Sequence, residues 1–168
     1  PFKWTRLEGG HSNLTYQLED TDGKYAVIRR PPQGELLPKA HDMSREWALI
    51  SALSKTDVPV PAAYGFCESP DVTGAWFYVI GLINGHPLYI SEDTERLIPE
   101  DKRKVMSGSF IDVLADLHAV DPDEVGLGDL GKKDNYIGRQ LKTWYRSWMA
   151  SIEPADFDDP RAHELQEF

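Results

Sequence analysis

The spacing of apolar residues changes once along this chain, from a period of two to a period near 3.6. That change restricts the fold more than any single motif does. Leu14-Thr15-Tyr16-Gln17-Leu18 alternates apolar and polar side chains, as a half-buried strand requires. Residues 20–24 read as a turn, with Gly23 where a positive φ is expected, and Tyr25-Ala26-Val27-Ile28-Arg29 returns as the second arm of a hairpin. Residues 2–7 supply a preceding strand. Residues 63–67 and 76–80 form a later pair, separated by a polar turn over residues 69–74. One helix interrupts the strands at residues 44–55. Asp42 or Ser44 can cap it, and Leu49, Ile50 and Leu53 form its apolar stripe.

After Asn84-Gly85 the pattern becomes helical. Pro99 suits the first turn of a helix running to about Ala119, with Phe110, Val113, Leu114 and Leu117 as its expected buried face. Gly126-Leu127-Gly128-Asp129-Leu130-Gly131 is too rich in glycine to be helical. Leu141, Trp144, Tyr145 and Trp148 repeat the helical spacing, and a last short helix is expected near Asp159-Pro160. The expected class is α+β. A five-stranded antiparallel sheet with one helix spans residues 1–84, and a connector and the first helices of a second lobe span residues 85–168.

Charge narrows the partners. Asp and Glu outnumber Lys and Arg by 28 to 18, giving a net charge of −10, which repels a polyanion and argues against nucleic acid. No run approaches the roughly 20 apolar residues of a membrane span, and no apolar stretch of a signal peptide follows Pro1. The single cysteine, Cys67, leaves no internal disulfide or CxxC metal site and fits a reducing, cytoplasmic setting.

Three features carry chemistry. Glu8-Gly9-Gly10-His11-Ser12-Asn13 lies between two strands, where paired glycines let backbone approach a ligand and point N–H groups at phosphate oxygens. The same pair is also an ordinary hairpin turn signal. Arg29 lies on the face of its strand shared with Val27 and Tyr25, and Glu46 lies in the first turn of the next helix. A strand cation paired with a helix glutamate can hold nucleotide phosphates; solvated surface charges are the alternative. Trp144, Tyr145 and Trp148 fit either a core stripe or a stacking surface. Residues 156–159 fit a solvated loop and helix cap, and His118 reads as a residue at a helix end.

Taken in order, Gly9-Gly10-His11-Ser12-Asn13, residues 25–32, Ser44-Arg45-Glu46, residues 77–85 and Leu114-Ala115-Asp116-Leu117-His118 resemble the aminoglycoside-phosphotransferase-like kinases. Arg29-Arg30-Pro31-Pro32, Leu36-Leu37-Pro38, Ala40-His41 and residues 126–131 resemble the branch whose kinase-like domain is also found fused to acyl-CoA dehydrogenases. The resemblance implies a protein-kinase-like fold and an ATP-dependent transfer to a small-molecule hydroxyl, with Mg2+. Gly9, Gly10, His11, Ser12 and Asn13 would cover the phosphates. Arg29 would stand where most kinases carry lysine, with Glu46 as its partner. Val27 would line the roof of the adenine pocket, with Ile80 at its back, and the Gly81 carbonyl and the Ile83 N–H would meet the adenine edge. It also implies an acyl-CoA dehydrogenase as partner or fusion.

The family's HxDxxxxN loop and downstream aspartate are not found in these 168 residues, since His118-Ala119-Val120-Asp121 has the wrong spacing. Catalytic residues and metal ligands are therefore expected outside the chain, which reads as an N-terminal portion that is inactive and poorly stable alone. A non-catalytic nucleotide-binding or interaction domain, or a piece that only packs against a dehydrogenase, are the alternatives.

Overall fold

A computed structural model describes residues 2–7, 13–32 and 42–166. Strands β1 (Lys3–Arg6), β2 (Leu14–Glu19), β3 (Tyr25–Arg30), β4 (Ala63–Cys67) and β5 (Phe77–Gly81) form one sheet in the order β1-β2-β3-β5-β4. Every neighbouring pair is antiparallel. The β2–β3 hairpin closes because the Asp20 carboxylate accepts the N–H groups of Asp22 and Lys24, each at 2.8 Å. Gly23 takes the positive φ of 74° that a β-carbon would resist.

Helix α1 (Met43–Leu53) follows, and Asp42 caps it by accepting from the N–H groups of Ser44 and Arg45. Its buried residues are Met43 and Ala52. Leu49, assigned to the apolar stripe from spacing, is exposed. The reason is that α1 meets β4 and β5 through Trp47, whose ring lies nearly parallel to Phe66 at 6.2 Å between centroids and tilted against Tyr78 at 6.3 Å. The helix therefore buries a narrower face than its sequence offers.

The polar stretch after β4 is a one-turn helix, α2 (Pro70–Thr73), where a turn was expected. Ser69 caps it, proline opens it, and Gly74 ends it in the left-handed conformation. Helix α3 (Ser91–Leu97) was not anticipated, and it begins after Ile90 with no side-chain cap. Helix α4 (Glu100–Ala119) lies where the periodicity put it, but Phe110, Leu114 and Leu117 stay exposed, Phe110 by 68%. An apolar stripe is buried only against a second apolar surface, and no described element of the same unit lays a face along this helix.

By compactness the chain divides into two units, Pro1–Gly128 and Asp129–Phe168. The second holds α5 (Tyr136–Ala155) and the short α6 (Pro160–Gln166). The two helices touch through Tyr145, whose hydroxyl lies 2.9 Å from His163 Nδ1, while His163 Nε2 lies 2.9 Å from the Asp158 carboxylate.

Candidate functional site

Antiparallel register puts directly opposed side chains on one face of a sheet. Across β2, β3, β5 and β4 this makes a row of Thr15, Arg29, Tyr78 and Phe66. A second row runs Gln17, Val27, Ile80 and Ala63. Helix α1 sets Glu46 and Trp47 over the first row.

Glu46 is the hub. Its Oε2 accepts from Arg29 Nε at 2.9 Å and from the Tyr78 hydroxyl at 2.7 Å. Its Oε1 accepts from Asn13 Nδ2 at 2.9 Å. Arg29 Nη1 also donates to Thr15 Oγ1 at 3.3 Å, along the row. One carboxylate thus ties together the residue before β2, the end of β3 and the beginning of β5. Arg29 and Glu46 are each about one-third exposed (33% and 34%), whereas Tyr78 is only 2% exposed. Burial pushes the Tyr78 phenol well above its ordinary pKa, and the hydrogen bond to the Glu46 carboxylate pushes it further the same way. The hydroxyl stays a donor.

The guanidinium carries five N–H groups, and beyond its contacts to Glu46 and Thr15 several have no hydrogen-bond partner among the described residues, on a side chain one-third exposed. Such a planar, fixed cation suits phosphate oxygens. Val27 is buried and opposes half-buried Ile80 in the neighbouring row, which makes a small apolar floor beside Arg29. These residues fit a nucleotide's phosphates and base.

The expected residues fall as follows. Asn13, Arg29 and Glu46 are brought into direct contact, with Val27 and Ile80 beside them. Gly81 ends β5, and its N–H donates to the Ala62 carbonyl at 2.8 Å. A β-carbon there would come within 3.4 Å of Ala62, so the two backbones approach closely at this point. Ile83 follows on the connector and is exposed. Gly9, Gly10, His11 and Ser12 lie outside the described residues. No group of three or more His, Cys, Asp or Glu able to hold a metal occurs among the described residues, and no helix is long and apolar enough to cross a membrane.

Sequence reasoning missed Tyr78. The signal available was an aromatic residue in register with Arg29 on a neighbouring strand, which becomes visible only once the pairing of β3 with β5 is known.

The other candidate groups are absorbed locally. Asp159 accepts the Arg161 N–H at 3.0 Å at the start of α6 and also binds the Arg161 guanidinium, as a helix cap would. His118 sits exposed in the last turn of α4. Leu141, Trp144, Tyr145 and Trp148 line an open apolar pocket of about 430 Å³ within the second unit.

A five-stranded antiparallel sheet with one packed helix, a strand cation and a helix glutamate defines a kinase-like lobe. The chain belongs to the phosphotransferase enzyme family (APH), which it matches over residues 3–168. It is similar in structure to a Ralstonia eutropha JMP134 protein assigned as an aminoglycoside phosphotransferase. The TM-score is 0.72 and the identity 29%, over 95% of this chain and 44% of that one. Among curated proteins it is 33% identical to the acyl-CoA dehydrogenase-type protein IBR3 of Arabidopsis thaliana, over 98% of this chain and 20% of that protein. It is 32% identical to acyl-CoA dehydrogenase family member 10 of Mus musculus, over 90% of this chain and 14% of that protein. The chain thus spans a fifth or less of the length of these relatives.

Proposed function

We propose that this chain holds the nucleotide of an ATP-dependent kinase that transfers a phosphoryl group to a hydroxyl of a small molecule. The observation that carries this reading is the Glu46 hub. Asn13, Arg29 and Tyr78 all donate to it, and it holds the one-third-exposed Arg29 beside the Val27–Ile80 floor. Nothing in a purely structural ion pair requires a buried phenol and a loop amide to converge on the same carboxylate.

In this reading Arg29 binds phosphate oxygens, Val27 and Ile80 take the base, and the Ile83 N–H meets its edge. Bound ATP, with Mg2+, supplies the group transferred. Asn13 links Glu46 to residues 9–12, which are proposed to cover the phosphates. The metal ligands and the group that orients the acceptor are proposed to lie outside these 168 residues, so the chain alone is expected to transfer nothing. The relatives' names support a setting joined to, or working beside, an acyl-CoA dehydrogenase. The lone, half-buried Cys67 is in keeping with a reducing compartment such as the cytoplasm.

Calorimetry of the chain with MgATP tests the proposal. Binding is expected, and Glu46→Ala should weaken it about tenfold or more, because Arg29 and Tyr78 lose their shared acceptor. Adenosine binding should survive that substitution. Failure of the unsubstituted chain to bind MgATP would contradict the reading. A second reading, a nucleotide-binding domain without transfer, is favoured by the lack of an HxDxxxxN motif in the 168 residues. Phosphotransfer to a small alcohol by the natural protein that contains this segment would overturn it.

A further inference from the structure

The Arg29–Glu46 pair cannot hold itself still. Both side chains are about one-third exposed, and an ion pair so placed contributes little while costing rotamer freedom in two long side chains. A glutamate held only by such a partner swings into solvent.

Tyr78 has no such freedom. It is 2% exposed and lies on β5 between its cross-strand neighbours Arg29 and Phe66, with Trp47 tilted against its ring. A buried hydroxyl needs an acceptor, and Glu46 Oε2 at 2.7 Å is the one it has. Asn13 holds the other oxygen, Oε1, at 2.9 Å.

We infer that Tyr78 is a positioning residue for the nucleotide phosphates: by fixing Glu46 Oε2 it fixes the Arg29 Nε–H, and so the direction in which the outer guanidinium N–H groups point. This rests on the reading of Arg29 as the phosphate-binding cation. The planar guanidinium makes the device necessary, because its donors are useful only in one plane, whereas an ammonium at the same place would tolerate rotation. The raised pKa of the phenol keeps the hydroxyl a hydrogen-bond donor at neutral pH.

Tyr78→Phe tests this, since it removes one hydroxyl and keeps the ring that Trp47 lies against. The affinities of MgADP and adenosine are measured by calorimetry for both proteins. MgADP should weaken about fivefold or more in the variant, the factor of one net hydrogen bond, with adenosine unchanged. A purely structural role would move both ligands alike. Equal weakening of both ligands, or no change in either, overturns the positioning role and leaves the nucleotide reading intact so long as the parent prefers MgADP. A parent that shows no preference for MgADP over adenosine overturns that reading and this inference with it. The Arg29 Nε–H resonance reports the same contact without ligand. It should be protected from exchange in the parent and lose that protection in Tyr78→Phe; equal protection in both contradicts the inference.

Discussion

The sheet with α1 and the helix α4 are both written in clearly patterned sequence, yet only the first buries its pattern. Leu18, Val27, Ile28, Met43, Ala52 and Tyr78 are buried in the sheet and α1, with Val58 just after α1. Helices α3, α4 and α5 have no fully buried residue. The difference is one of partners. Strand pairing brings Val27, Tyr78, Ile80 and Phe66 from three strands onto one face, and Trp47 of α1 closes on it, while Leu18 and Ile28 are buried on the other face. A helical stripe states a demand for such a surface and supplies none itself. The same contrast separates polar groups. Glu46 answers three donors from three elements, while Asp159 answers a residue two positions away.

Substitution should break this comparison if it is wrong. Ile28 is 3% exposed on the central strand, so Ile28→Ala should cost about 2–5 kcal/mol in urea unfolding, from lost burial and the cavity left behind. Phe110→Ala on α4 should cost less than about 0.5 kcal/mol, because that ring is already in water. Equal losses at the two positions would mean that α4 buries its stripe after all.

The smallest effect concerns charge in the second unit. The Arg161 guanidinium and N–H hold the Asp159 carboxyl down to about 2 from its ordinary 3.8. A depressed carboxyl stabilises the folded form above its unfolded value, and that contribution fades as pH falls from about 4 through 2. Amide exchange in α6 should therefore quicken over that window, and Asp159→Asn should flatten the dependence. A parent profile without any change over the window would show that the cap does not form. The carboxyl's partner Arg161 is 83% exposed, so the effect should be slight.

Much of the fold was legible because strands alternate and turns carry glycine. The five strands, the Gly23 turn, α4, α5 and α6 all follow from local pattern. Helix α2 was legible too, had Ser69-Pro70-Asp71 and Gly74 been weighed as cap, first turn and stop; the polarity of that stretch hid them. Helix α3 lacks a side-chain cap and announced itself only by Glu92 and Asp93 in its first turn and Arg96 in its last. At the candidate site, the pairing of Arg29 with Glu46 followed from a strand residue and a helix residue that such a lobe brings together. Tyr78 and the part played by Asn13 did not. Both contacts span more than thirty residues and depend on strand register, which no local window contains.

The central claim is that the nucleotide sits on the sheet face organised by Glu46. Amide and side-chain chemical-shift mapping of the labelled chain on titration with MgADP tests it most directly. The account predicts that the largest shifts fall on Asn13, Val27, Arg29, Ile80 and Ile83, with α5 and α6 nearly still. Shifts concentrated on Leu141, Trp144 and Trp148, or no shift anywhere at saturating nucleotide, would contradict it.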